Sequence, residues 1–193
     1  METNSQALAT ALLVMDMQPA TMGMMGDQAP ALAETNKQAI AAARKASIPV
    51  IYVVVGFRKG FPEISDSTQN LSFSQLKKAG YPGLEDPTVD ASLGALPGEM
   101  VVTKRRVSAF AGSDLEVILR GLRIDHIVLT GIATSGVVLS TLREASDKDY
   151  RISVLSDACA DRDDEVHNVL MGKVFPRQAE VLTTAQWVAG LGK

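Results

Sequence analysis

Residues 126–137 read His126-Ile127-Val128-Leu129-Thr130-Gly131-Ile132-Ala133-Thr134-Ser135-Gly136-Val137. The run His126–Thr130 has the length of a strand and shows no alternation that would mark a solvent-facing side, which predicts a strand buried on both faces. Gly131 closes the run, and Ser135–Asp147 continues as an amphipathic stretch of helical length. A buried strand that feeds a helix through a short glycine-bearing turn is the unit from which parallel sheets covered by helices are built.

The same alternation recurs on either side. Apolar, β-branched runs stand at Ala11–Met15, Val50–Val55, Met100–Thr103, Ile152–Leu155 and Ala179–Leu182. Between them, Ala31–Ala46, Asp114–Gly121, Asp163–Lys173 and Thr184–Leu191 have helical length and patterning. Pro30 suits an opening helical turn, where its missing N–H costs nothing. Ser113-Asp114 and Asp161–Asp164 supply capping or acidic residues at helix starts, and Pro49 disfavours continuing the first long helix into the second strand. The expectation is a single α/β domain over residues 1–193, an open parallel sheet of about six strands with helices on both faces. One region, Gly56–Glu99, breaks the rhythm: it is rich in Gly, Pro, Ser and Asp, with one possible helix at Ser72–Ala79. A loop of that length reads either as a lid over a binding site or as a surface insertion packed over the sheet edge.

Bulk properties narrow the function classes. At 193 residues, with 46% hydrophobic and 21% charged residues, the chain can bury a large core without disulfides. Its net charge of -3 argues against nucleic acid as a partner; Lys104-Arg105-Arg106 is too short a basic run to serve as such a surface. No apolar run reaches the roughly 18 residues of a membrane span, and the polar segment Met1–Ala9 argues against a secretory leader. The cytoplasm is the default location. Cys159 stands alone, and His126 and His167 lack zinc-motif partners, so neither a disulfide nor a cysteine–histidine metal centre is expected.

In open parallel sheets, ligands bind outside the carboxyl ends of the strands. Asp16 ends the first run, in Leu12-Leu13-Val14-Met15-Asp16-Met17-Gln18, and Lys104 ends the third, in Val101-Val102-Thr103-Lys104. The turn Gly131–Val137 after the fourth run opens a helix, whose first N–H groups favour developing negative charge. A carboxyl beside an ammonium can act as acid or base according to its burial; it can equally be a salt bridge closing the mouth of the sheet.

Asp16-Met17-Gln18, Lys104 followed by Ser108-Ala109-Phe110, and Gly131-Ile132-Ala133-Thr134, each in its strand context, resemble the isochorismatase-like (cysteine hydrolase) family. The likeness extends to Phe175-Pro176-Arg177. It implies a three-layer sandwich, a small-molecule substrate, assembly as a homo-oligomer, and Asp16 and Lys104 as two members of an Asp–Lys–Cys triad. It also implies a cis peptide at Ile132-Ala133, aiming the Ala133 and Val137 N–H groups into the site. The family cysteine falls at Val137, which has no nucleophilic atom. Cys159, in another strand, reads as packing, and Thr134 and Ser135 are displaced around the helix start, so thiolate catalysis is not expected. Isochorismatases proper also lack the cysteine; there the aspartate is thought to protonate a vinyl ether before water adds. Asp16 as acid and base, with Lys104 as electrostatic partner, would serve that chemistry, although valine at 137 narrows the pocket floor.

Gln18, Phe57, Phe110, Ala133, Thr134 and Ser135 are the candidate substrate contacts, with Met22, Met24, Met25 and Phe61 as further apolar wall. Arg58, Arg105 or Arg106 could hold a substrate carboxylate. No metal or other cofactor is expected: the family's zinc-binding histidines would fall within Gly56–Glu99, which has none, and Asp66, Glu85 and Asp86 read as solvated acids. Three functions remain open: a hydrolase using Asp16 without covalent catalysis, an amide hydrolase with an unrecognised nucleophile, and a catalytically silent ligand-binding relative.

Overall fold

In the computed structural model, residues 9–80 and 83–191 are described, so most of the polar amino-terminal segment lies outside them. Six strands, β1 (Thr10–Met15), β2 (Val50–Val55), β3 (Met100–Lys104), β4 (His126–Ile132), β5 (Arg151–Ala160) and β6 (Glu180–Leu182), form one sheet in the order β3-β2-β1-β4-β5-β6. Every neighbouring pair is parallel. The helices are α1 (Pro19–Gly23), α2 (Ala29–Lys45), α3 (Leu71–Ala79), α4 (Leu115–Gly121), α5 (Leu139–Asp147), α6 (Asp164–Val169) and α7 (Thr184–Gly190).

Successive strand residues face opposite sides, and β1 serves both cores. Ala11, Leu13 and Met15 join Leu115 and Leu119 of α4, Leu142 and Ala145 of α5, and Leu170 and Phe175 on one face. Leu12 and Val14 join Leu32, Ile40 and Ala43 of α2 and Trp187 of α7 on the other. Each fully buried Leu or Val side chain contributes roughly 1.5–3 kcal/mol, so packing rather than helix propensity holds these mostly short helices. This is the expected α/β sandwich.

Three departures have local causes. The strand expected to end at Leu155 continues as β5 to Ala160, because its polar interruption is used for tethering: the Ser156 hydroxyl donates to Leu182 O, and Asp157 accepts from the Thr184 N–H and hydroxyl. The helix expected from Ser135 starts as a wider π turn, Thr134–Val138, before α5. The helix expected over Asp163–Lys173 stops at Val169 and is followed by a second π turn, Leu170–Val174. Within residues 56–99, the side chain of Asn70 caps α3, and Phe57, Phe61, Ile64, Phe73 and Leu84 form a small core of their own. The end of this excursion is tied to α2 by Arg44, which donates to both Glu99 carboxylate oxygens at 2.8 Å.

Among the described glycines, Gly131 at the joint between β1 and β4 makes the closest backbone approach. Gly131 pairs with Met15 at φ +135°, and a Cβ there would lie 2.0 Å from Met15 O. No side chain fits without separating the strands. Gly131→Ala is expected to cost more than the about 1 kcal/mol typical of a point substitution. Gly136→Ala, whose Cβ would meet only Ala133 Cβ at 3.8 Å, should cost less than that. Equal losses in thermal unfolding would contradict this account of the joint.

Candidate active site

The strand order reverses direction between β1 and β4: β2 and β3 lie on one side of β1, β4 to β6 on the other. The carboxyl ends of β1 and β4 therefore flank the switch point, outside which open α/β sheets bind ligands. Asp16 is the first residue beyond β1. Its φ of +54° lies in the left-handed region, uncommon for a residue bearing a Cβ. Its N–H bonds to Val53 O at 2.7 Å, and its carbonyl accepts from the Thr21 hydroxyl and, at 3.0 Å, from the Gln18 N–H. The strand end is thus pinned on both sides of the functional side chain.

Lys104, the last residue of β3, reaches across the end of β2. Its Nζ lies 3.0 Å from Asp16 Oδ2 and donates to Arg106 O at 2.8 Å. Both residues are buried, and the second carboxylate oxygen, Asp16 Oδ1, has no hydrogen-bond partner among the described residues. Burial pushes the Asp16 carboxyl above its ordinary value, and the charge and hydrogen bond of Lys104 pull the other way without cancelling the rise. The site therefore holds a carboxyl whose protonated form is made more accessible, with one oxygen uncommitted.

The third component is the turn after β4. The Ile132-Ala133 peptide is cis. Ala133 O accepts from the amides of Gly136 and Val138, and the Ser135 amide donates to Asp161 Oδ2 at 2.7 Å. Thr134 is fully buried, with its Oγ1 2.8 Å from His167 Nδ1. Val137 is 2% exposed and packs into the core that contains Met15, Leu170 and Phe175. Cys159 sits in the same core, 3.8 Å from Leu129 O, and burial pushes its thiol up to about 12, so it is a poor source of thiolate.

Comparison with known proteins identifies the framework. The isochorismatase domain model matches residues 10–186. The chain belongs to the isochorismatase family. It is 33% identical over 177 residues to the isochorismatase family protein YecD of Escherichia coli O157:H7, covering 91% of this chain and 92% of the relative. It is 34% identical over 175 residues to ureidoacrylate amidohydrolase RutB of Pseudomonas syringae pv. syringae, covering 77% of this chain and 69% of that protein. An isochorismatase family structure from Burkholderia thailandensis superposes with a TM-score of 0.84 at 29% identity, covering 96% of each chain. The family is one of hydrolases, with amidohydrolases among the relatives.

On this isochorismatase framework, Asp16, Lys104 and Ala133–Val137 gather along the carboxyl edge, while several other candidates are engaged elsewhere. Gln18 donates to Val55 O and accepts from Val55 N–H, stitching the Asp16 turn to β2. Phe57 packs in the small core, 5.7 Å from Phe61 and 6.0 Å from Phe73 between ring centroids. Phe110 turns toward the opposite end of the sheet and stacks on Tyr150, just before β5. Met22 and Met25 are core residues and Met24 is exposed. Arg58 pairs with Glu63 at 2.8 Å, Arg105 lies 3.9 Å from the same carboxylate, and Arg106 donates to Glu63 O and Arg105 O. Asp66 pairs with Lys77 at 2.6 Å. His126 bonds to Thr10 and Ser153 at the amino ends of the strands, away from Asp16.

Asp161, expected only as an acid at a helix start, and His167, expected only to lack zinc-motif partners, are further neighbours of the turn. Asp161 carried a usable signal: like Asp16, it directly follows an apolar strand end, and the β4–β5 pairing Ile132–Ala160 sets it beside the turn.

Removing one member of a buried ion pair typically costs about 3–5 kcal/mol, because the other is left uncompensated. Lys104→Met and Asp16→Asn, measured singly and together by denaturant unfolding, should be strongly non-additive, the double variant losing less than the sum. Additivity within about 0.5 kcal/mol would mean that the two groups are energetically independent.

Proposed function

We propose that this isochorismatase family member hydrolyses a small organic molecule through proton transfer by Asp16, without a covalent thiol intermediate. The observation that carries the reading is Asp16 itself, a buried carboxyl at the switch point with a raised pKa, a lysine on Oδ2 and, among the described residues, no hydrogen-bond partner on Oδ1. The protonated carboxyl delivers its proton to the substrate. Water bonds to the carbon that becomes electron-poor, the leaving group departs, and the carboxylate recovers a proton from the added water. Lys104 stabilises the carboxylate during the interval. The Ala133 and Val137 N–H groups supply dipoles for charge developing on the substrate. Valine stands at 137, read as the place where thiol-bearing members carry cysteine, and the chain's one thiol is buried with its pKa pushed up to about 12, which fits a mechanism that needs no thiolate.

A second reading, C–N bond hydrolysis, is favoured by the similarity to ureidoacrylate amidohydrolase. It requires a nucleophile other than a thiol, and Ser135 is the exposed hydroxyl of the turn.

Product formation should be followed on isochorismate, ureidoacrylate and simple amides, with Asp16→Asn and Ser135→Ala in parallel. The proposal expects vinyl-ether cleavage that falls by roughly 10²–10⁴ in Asp16→Asn and persists in Ser135→Ala. Amide cleavage lost in Ser135→Ala would replace it with the second reading. Substrate binding without turnover would identify a silent ligand-binding relative. Since the acid must be protonated, the wild-type rate on a turned-over substrate should decline as pH rises through the raised Asp16 pKa. A rate that climbs through that range would contradict acid catalysis by Asp16.

A further inference from the structure

The segment after β5 grips two successive residues of the site turn by different means. Asp161 Oδ2 accepts from the Ser135 amide at 2.7 Å, and the ring of His167 on α6 meets the Thr134 hydroxyl at 2.8 Å. Asp163 caps α6 by accepting from the amides of Glu165 and Val166, which fixes the helix that carries His167. The gripped turn is the one that carries Ala133 and Val137.

Thr134 is fully buried, and His167 Nδ1 is the only partner of its hydroxyl among the described residues. A hydroxyl that merely accepted there would leave its own proton buried, with no other acceptor among the described residues. The hydroxyl therefore donates, Nδ1 supplies the lone pair, and the neutral ring carries its proton on Nε2. Protonation of the ring removes that lone pair, so the bond as built requires neutral histidine.

We propose that His167 is a positioning residue of the site, whose neutral imidazole latches Thr134 and so braces the 133–138 turn, and that acid releases the latch. The inference rests on reading that turn as part of the reacting site. The charged groups facing the ring are Asp161, from the β5–α6 connection, and Asp164 on its own helix; both favour the protonated ring, while burial, the larger influence, disfavours it. The Thr134–Val138 turn packed against α6 has no ionisable side chain, and the Leu170–Val174 turn that follows α6 contributes only Lys173. His167 is thereby held below its ordinary value near 6.5. The sign follows: an unfolded chain binds the proton more readily, so the latch is fully formed above 6.5 and is lost as pH falls through the folded-state value.

The full chain contains two histidines, so nitrogen-15 spectra of the rings are simple to assign, with His167→Asn removing one set. The expected result is an Nε2–H tautomer for His167 with a midpoint below 6.5. Thr134→Val should lose the fixed tautomer and move the midpoint, and Thr134→Ser should restore both. Amide hydrogen exchange, corrected for its intrinsic pH dependence, should quicken in residues 134–138 by on the order of two- to tenfold as pH falls through that midpoint, the equivalent of one hydrogen bond. In Thr134→Val the exchange should be fast throughout. An Nδ1–H tautomer, or exchange in the turn indifferent to the ring's protonation, would overturn the proposal. These readouts need no substrate, so a failed hydrolase assignment leaves them standing. Asp16-dependent turnover with no latch signature would defeat this inference alone.

Discussion

A carboxyl and an ammonium held out of water at the carboxyl edge of the sheet are costly to bury, and the neighbouring strand ends are arranged around them. Burial penalises each ion by several kcal/mol, and mutual attraction offsets this only when geometry and further hydrogen bonds are good. Lys104 is well served, with Asp16 Oδ2 and Arg106 O both within 3.0 Å. Asp16 is not, since Oδ1 has no partner among the described residues. A structural ion pair gains by satisfying both oxygens. On the proposed function, leaving an oxygen uncommitted at the switch point retains proton-transfer capacity at the expense of stability.

The placement of the pair follows from the sheet. Asp16 and Lys104 lie two strands apart, so the lysine must span β2, and Gln18 locks the intervening edge by bonding both ways to Val55. On the other side, Gly131 lets β4 close against Met15 O, bringing the Ala133 turn beside the carboxyl. The two cores make the sheet rigid on both faces, so the functional groups occupy the rim where the strands end. Asp161 and His167 extend that rim across β5 and hold the turn in place.

The fold was legible because each strand holds a short apolar run and helices with readable starts lie between them, Pro30 for α2 and Asp163 for α6. Asp16 and Lys104 were legible because an ionisable residue at the end of such a run falls at the carboxyl edge, outside which open α/β sheets bind ligands. Phe57 and Phe110 show where this logic ends. An apolar residue after a strand suits a pocket wall or a core equally well, and only packing decides; here Phe57 helps build a satellite core and Phe110 stacks on Tyr150. The Thr134–His167 contact was hidden because its partners are 33 residues apart and His167 fits an ordinary helical pattern. Ser156 and Asp157 misled in the other direction, reading as a strand end when they are tethers for β6 and α7.

The central claim is that Asp16 is a carboxyl biased toward its protonated form by burial and restrained by Lys104. Its most direct test is a carbon-13 titration of the Asp16 side-chain carboxyl in the intact protein, repeated in Lys104→Met. The account predicts a midpoint above the ordinary aspartate value of 3.8, rising further when the lysine is removed. A midpoint at or below that value would contradict it, leaving Asp16 and Lys104 as a structural ion pair.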